Sequence, residues 1–277
     1  MLSPSKNYRI KNVISDKTRE NKMMKRFYLR DLESLEEFKC VIWEDVLSSL
    51  DDDAIKNGNI VQVLSSVYKE AFKTSTITKL NLIKKAPVGL SKEQREELFQ
   101  VMIDEVVLFE NQSLKEASLA ILKEHEELIK VSPAAEKMHH NYVGGLLLHI
   151  YECLAFSKQI LDKTYQNLDK ELITAACITH DLGKIFEYII NVETGEVCRN
   201  PEFDKSWISH IHYGFAWANN NKFPELAHIM ASHHGRIEWG AIVEPATVEA
   251  RLFHHIDDLS AYTGRISADE IEGFEIK

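Results

Sequence analysis

Paired cysteines, long apolar runs and a phosphate-cradling glycine loop are all missing from this 277-residue chain. The four cysteines, Cys40, Cys153, Cys177 and Cys198, are scattered with no C-x-x-C spacing. That distribution argues against a zinc ribbon or a disulfide framework and suits a reducing compartment. No stretch approaches the ~18 apolar residues of a spanning helix, and the polar segment Met1 to Lys11 has no apolar signal core. Gly144-Gly145 lacks both the spacing and the preceding strand of a phosphate loop. Internal repeats and low-complexity segments are also missing. A soluble cytoplasmic protein is expected, with no membrane partner. The length allows two compact domains, and 44% hydrophobic residues permit a proper core.

A net charge of −10 argues at face value against nucleic acid as a partner. The distribution is uneven, however. Lys6, Arg9, Lys11, Lys17, Arg19, Lys22, Lys25, Arg26 and Arg30 face only Asp16 and Glu20 before position 31, whereas Asp51-Asp52-Asp53 and Glu124 to Glu127 are acidic. A solvated surface and a phosphate-binding patch both fit such a cluster.

Alternating or β-branched runs at Tyr8–Ile14, Arg26–Leu32, Phe38–Trp43, Ile60–Val67 and Ile77–Ile83 predict five strands, with turn chemistry at Asn57-Gly58-Asn59. Five short strands suggest a small barrel of the OB type. Tyr28, Phe38 and Tyr68 offer π-faces on which bases stack, with core packing the competing reading for each, and Trp43 is assigned to the core. Lys22, Lys25, Arg26 and Tyr28 are therefore candidate strand-binding residues. After Ala86-Pro87 the period becomes helical. Ser91 with Gln94 and Ser113 with Glu116 are capping signatures, and Pro133 stops the second helix near Val131. Later stripes at Val143–Ile160, Leu172–Ile189, Trp207–Ala218, Pro224–Ser232 and Val248–Tyr262 make the rest all-helical, apart from a small hairpin near Asn191–Cys198. The fold class is α+β multidomain. Residues 1–85 form an OB-like nucleic-acid-binding barrel, 86–132 a helical linker and 133–277 a helical bundle.

The chemistry concentrates in the bundle. His180-Asp181-Leu182-Gly183-Lys184 is flanked by His149 upstream and by His210, His233-His234 and Asp257 downstream. Imidazole nitrogen and carboxylate oxygen suit borderline or hard divalent metals, and helices of a bundle can converge such side chains on one point. His212 competes with His210, and Asp258 with Asp257. His254 is an orienting residue or plain helix surface. Arg236, after His234-Gly235, is a candidate phosphate contact.

The order His149, His180-Asp181, Asp257, with Gly183-Lys184 after the pair, resembles the HD-domain metal-dependent phosphohydrolases. The stretches His139 to Leu147 and Ser232 to Gly240, with Glu249-Ala250 before Asp257, are similar to the YhaM-type 3′→5′ exoribonucleases, which join an OB-fold to an HD domain. That resemblance implies two metal ions. His149, His180, Asp181 and Asp257 would hold one, and Asp181 would bridge to another held by His210, His233 and His234. It favours Mn²⁺, while Fe²⁺, Co²⁺ and Ni²⁺ also suit the donors. Asp181 and Lys184 would be the catalytic pair, with Lys184 beside the substrate phosphate. His139 and His140 would contact the scissile phosphate or the 3′-terminal nucleotide, unless they only pack a turn. The implied activity is exonucleolytic cleavage of single-stranded RNA, or DNA, to nucleoside 5′-monophosphates. Hydrolysis of small or cyclic nucleotides, and nucleic-acid binding without turnover, are the alternatives. Homo-oligomerisation stays open. Leu148 departs from the family pattern, which often has a polar residue there, and Asp258-Leu259-Ser260 stands in place of a family Asn-x-Asp.

Overall fold

The computed structural model describes residues 2–264 apart from Arg19, Asp52, Asp53, Met138, residues 164–166 and Trp207. Arg19 of the basic cluster, two of the three clustered aspartates and the start of the Trp207–Ala218 stripe therefore lie outside the described residues. The chain forms two units, Met1–Pro87 and Val88–Lys277.

The first unit is a closed five-stranded barrel, OB-like, with strand order β1-β2-β3-β5-β4. Its strands are β1 (Asn7–Lys17), β2 (Met23–Asp31), β3 (Glu37–Trp43), β4 (Ile60–Lys69) and β5 (Thr74–Lys84). The short helix α1 (Glu44–Leu47) follows β3. Period-two alternation sends Tyr8, Ile10, Phe27, Leu29, Cys40, Ile42, Val61, Val63 and Ile77 into one apolar core. β3 and β5 pair in parallel, which closes the barrel, while the other pairings are antiparallel. Trp43 does not join that core. It follows the buried Ile42, so strand parity turns it outward, where it is half-buried. Tyr28 and Tyr68 are likewise exposed, and only Phe38 packs against the interior.

The second unit is helical: α2 (Lys92–Val107), α3 (Gln112–Glu124), α4 (Glu126–Val131), α5 (Gly145–Leu161), α6 (Lys170–Thr179) and α7 (Lys184–Glu187) precede a two-stranded hairpin, β6 (Tyr188–Ile190) and β7 (Val197–Arg199). Then come α8 (Pro201–Asp204), α9 (His210–Asn220), α10 (Pro224–Ser232) and α11 (Val248–Thr263). Among the described residues, no helix is long and apolar enough to cross a membrane.

Residues 86–132, read from sequence as a linker, behave otherwise. Leu98, Met102, Val106, Leu114, Leu122 and Ile129 share one continuous core with α5, α6, α10 and α11. The Ser91 capping box forms as expected. The next cap is Asn111 and not Ser113, because the Asn111 side chain accepts from the Leu114 amide at 3.1 Å and starts α3 earlier, while the Glu171 carboxylate accepts from the Glu110 and Asn111 amides ahead of it. The expected single helix ending at Val131 is broken at His125, where the backbone leaves helical geometry.

Candidate metal centre

Five helices deliver the polar side chains that the sequence singled out. His149 lies on the second turn of α5, whose other faces bury Leu146, Leu147, Leu148 and Ile150. His180 ends α6 and Asp181 opens the tight turn after it. His210 starts α9, His233 and His234 follow α10, and Asp257 comes from α11. Gly183 makes the convergence sterically feasible. A Cβ there would stand 2.6 Å from the His210 carbonyl oxygen, so only glycine lets the His-Asp turn approach the start of α9.

The donor atoms form two groups that meet at Asp181. His149 Nε2 lies 3.2 Å from His180 Nε2, 3.2 Å from Asp257 Oδ1 and 3.3 Å from Asp181 Oδ2. His180 Nε2 is 3.3 Å from Asp181 Oδ2 and 3.6 Å from Asp257 Oδ1. Ligands bound at about 2.0–2.2 Å to one ion stand roughly 3–3.6 Å apart, so these four are spaced as a single coordination shell requires. The other carboxylate oxygen, Asp181 Oδ1, lies 3.5 Å from His210 Nε2 and 3.7 Å from His233 Nε2. Donor atoms of His210, His233 and His234 lie within 4.8 Å of one another.

The hydrogen-bond pattern shows that these residues fit a cation. In all five histidines Nδ1 is occupied: His180 by the Ala176 carbonyl at 3.1 Å, His233 by Met230 at 2.7 Å, His234 by Trp239 at 3.0 Å, His210 by Glu187 Oε2 at 2.6 Å and His149 by Ser260 Oγ at 2.9 Å. In the neutral rings, Nδ1 donation leaves an Nε2 lone pair free for a metal; without one, burial is overcome by Asp181 and Asp257, which push the His180 imidazole up to about 10, so a proton takes that place. Two such lone pairs facing each other at 3.2 Å repel unless a positive charge lies between them. Asp181 Oδ1 and Oδ2, His210 Nε2 and His233 Nε2 are buried without a hydrogen-bond partner. Orphaned acceptors normally cost about 1–3 kcal/mol each, so a cluster of them signals a ligand.

Charge in the site is strongly coupled. The Lys184 ammonium, itself nearly buried, sits 2.5 Å from Asp181 Oδ2. Its angle does not satisfy that oxygen as a hydrogen bond, so the contact is an ion pair. Burial opposes ionisation of Asp181, but Lys184 and His180 outweigh it and hold the carboxyl well below the usual range. Asp257 is held down in the same way, against its burial, by His149 and His180. Burial lowers the His233 and His234 imidazoles, and pushes His139 down to about 3.

Sequence alternatives are resolved by position. His210 enters the site, whereas the exposed His212 ring turns back to Ser209 at the helix start. Asp257 faces the histidines and Asp258 is exposed. His254 Nδ1 bonds the His233 carbonyl at 2.7 Å and is an orienting residue. His139 and His140 pack beside His149, with ring centroids 5.5 and 5.6 Å away. His140 is fully buried in a left-handed backbone conformation, with its ring 3.3 Å from Glu152 Oε2. Arg236 is exposed, its guanidinium over the Trp239 ring at 4.9 Å, and has no recorded contact with the cluster.

The remaining candidates belong to the barrel. Lys22 lies 3.6 Å from Glu20, Lys25 donates to the Ile55 carbonyl at 3.2 Å, and Arg26 is ion-paired with Asp16. Tyr28 stands on the exposed outer face. These three cations are thus partly committed inside the fold.

Sequence reasoning missed the residues that orient the ligands. Glu187 accepts from both the backbone and the ring of His210, and is held at about 2 because those bonds and nearby Arg199 overcome its burial. Ser260 accepts from His149 and donates to Glu152 Oε2 at 2.7 Å, so the departure from the family pattern still carries an orienting hydroxyl. The Trp239 carbonyl fixes His234 from a turn closed by Gly240 at φ 100°, a left-handed conformation that favours glycine. Only an acidic residue near the end of an apolar stripe could have marked Glu187.

With this geometry in place, the comparison with known families is decisive for the second unit: the family model "HD domain" matches residues 146–262. The helical unit is similar to HD domains over those residues, which span less than half of the chain. An HD domain implies a divalent metal, and the donors just described lie within the matched stretch. A second family model, TraI_2, described as "Putative helicase", matches residues 82–187. The chain is 28% identical over 180 residues to the protein named 3'-5' exoribonuclease YhaM from Geobacillus sp. (strain WCH70). That match covers 61% of this chain and 53% of the relative, so the chain spans about half the length of that protein. No solved structure matches the chain.

Proposed function

We propose that this protein is a metal-dependent 3′→5′ exonuclease that shortens single-stranded RNA, or DNA, to nucleoside 5′-monophosphates. The observation that carries the reading is Asp181, a buried carboxylate with one oxygen toward His149 and His180 and the other toward His210 and His233. His149, His180, Asp181 and Asp257 would hold one ion, and Asp181 with His210, His233 and His234 a second; the resemblance favours Mn²⁺, and the donors suit Fe²⁺, Co²⁺ and Ni²⁺ as well. Bound there, a pair of divalent cations supplies a nucleophile at neutral pH and neutralises phosphoryl charge.

The protein's own part is positioning and charge. Glu187, Ser260 and the carbonyls of Ala176, Met230 and Trp239 hold each imidazole with Nε2 inward, so no reorganisation is needed when substrate arrives. Lys184 places a fixed ammonium beside Asp181, where it offsets the charge of a phosphate oxygen. His139, kept neutral by burial, offers a ring nitrogen for a hydrogen bond to the terminal nucleotide. The similarity to a protein named as an exoribonuclease supports a strand as substrate over a small nucleotide.

The test is incubation of the purified chain with Mn²⁺ and 5′-labelled single strands, beside cyclic nucleotides and nucleoside triphosphates. A ladder receding from the 3′ end with release of 5′-monophosphates is expected. Turnover of the small nucleotides alone would move the assignment to a nucleotide phosphohydrolase, and strand binding without turnover would make the protein a binding module.

A further inference from the structure

Among the five histidines of the metal centre, His149 is held differently from the rest. At Nδ1 the other four meet partners that can only accept: the carbonyls of Ala176, Met230 and Trp239, and the Glu187 carboxylate. Those partners leave the ring proton nowhere else to sit. His149 Nδ1 instead meets a hydroxyl, Ser260 Oγ at 2.9 Å, which can accept from that nitrogen or donate to it. Donation would put the ring proton on Nε2 and take away the lone pair that a metal needs. Something must therefore decide which way the Ser260 hydroxyl points.

Glu152 stands one helical turn after His149 on α5, and its Oε2 accepts from Ser260 Oγ at 2.7 Å. A hydroxyl has one proton, and an ionised carboxylate has none to give. The competing acceptor for that proton is the His149 carbonyl at 3.5 Å, the outer limit of a hydrogen bond, so the charged oxygen at 2.7 Å wins. With its proton committed to Glu152, Ser260 Oγ can only accept from His149 Nδ1. The same Oε2 lies 3.3 Å from His140 Nε2, at an angle short of a hydrogen bond. A lone pair on that nitrogen would be repelled, so one oxygen sets the proton of two rings.

We propose that Glu152 is a positioning residue of the metal centre: acting through Ser260, it fixes the tautomer in which His149 offers Nε2 to the ion. The proposal rests on the reading of His149 as a metal ligand. Glu152 itself touches neither the ion nor the substrate in this role; its effect passes through one hydroxyl proton.

The experiment titrates Mn²⁺ into the metal-free full chain by calorimetry, for wild type, Glu152→Gln, Glu152→Leu, Ser260→Ala and the double variant E152L/S260A. The Glu152 side chain is 21% exposed, so folding should survive, and melting in EDTA checks it; Glu152→Ala takes the place of Leu should the latter melt early. Gln keeps an accepting oxygen for the Ser260 proton, so Mn²⁺ affinity should stay within about threefold of wild type. Leu accepts nothing, the Ser260 proton is free to turn to Nδ1, and affinity should fall about 10- to 100-fold, as loss of an orienting partner does. Removing the hydroxyl as well takes away that donor, so E152L/S260A should bind no more weakly than E152L. Wild-type affinity in E152L would overturn the proposal, as would a loss in Glu152→Gln as large as in E152L, which would make the effect one of charge alone. Losses of E152L and S260A that add in the double variant would overturn it too, because the two residues would then act separately. A wild type that takes up no Mn²⁺ removes the metal reading and this role together. If the affinities follow the expected order in a chain that cuts no strand, the role of Glu152 stands and the exonuclease reading falls.

Discussion

Each unit buries a carboxylate, and the two are treated in opposite ways. In the barrel, Asp31 accepts from Lys6 Nζ at 2.7 Å and from the Glu33 and Ser34 amides, and the Lys6 bond is the main reason its carboxyl is lowered to about 2. In the helical unit, Asp181 is as deeply buried but has no hydrogen bond at either oxygen. A satisfied buried carboxylate locks a turn, whereas one without a hydrogen bond, faced by the Lys184 ammonium and four imidazoles, has the surroundings of a ligand. The barrel interior is otherwise apolar and self-sufficient. The helical interior holds the candidate donors inside its core.

The sharpest way to break this contrast is Asp181→Ala. Removing the residue shared by both donor groups should abolish metal-dependent hydrolysis, by about 10³-fold or more. It should also erase the rise in melting temperature that Mn²⁺ gives the wild type. Retained turnover together with wild-type metal content would mean that the groups do not share an ion-binding carboxylate.

A core truncation comes next. Leu122→Ala should cost about 2–5 kcal/mol, because the deleted side chain is fully buried in the helical core. Hydrogen exchange should show protection falling in α5 and α6 while the barrel strands keep theirs. Unchanged protection in those helices would return α3 to the status of a linker.

Glu187→Gln is the intermediate case. The amide still fills the space but accepts less strongly from the His210 ring, so metal affinity should fall about 10- to 100-fold, as measured by calorimetric titration. Loss no larger than that of an exposed control would show that Glu187 merely closes the hairpin with Arg199.

Asp31→Asn tests the satisfied carboxylate. The folded pKa lies below the ordinary value of 3.8, so the carboxylate stabilises the barrel above that pH, and the benefit disappears as pH falls towards about 2. The wild-type advantage in denaturant midpoint should therefore be constant near neutrality and vanish between pH 4 and 2. A pH-independent difference would assign the effect to packing.

The smallest effect is expected from replacing Lys22, Lys25 and Arg26 together by Gln. Exposed or internally engaged cations contribute little, so the salt slope of strand binding should change by less than about 0.7. A larger drop would restore the basic cluster as the principal phosphate contact.

The elements of both units were legible because their signals are local. Period-two alternation marked all five barrel strands, and Ser91-x-x-Gln94 marked the start of α2. The candidate donors could be named because His and Asp are uncommon in apolar stripes such as that around His149. Trp43 was misassigned because composition favours tryptophan in a core, whereas strand parity after Ile42 turns it out. The Ser113 cap failed because Asn111, two residues earlier and itself a strong capping residue, accepts from the Leu114 amide.

By itself the sequence determined which residues have the chemistry and which local period carries each of them, since side-chain type and backbone periodicity need no distant partner. Tertiary structure decided the rest. It set the pairing of Asp181 with two donor groups, the orientation of His210 by Glu187 and of His149 by Ser260, and the incorporation of α2 to α4 into the helical core. These are contacts between residues far apart in the chain, and they exist only once packing has closed the distance.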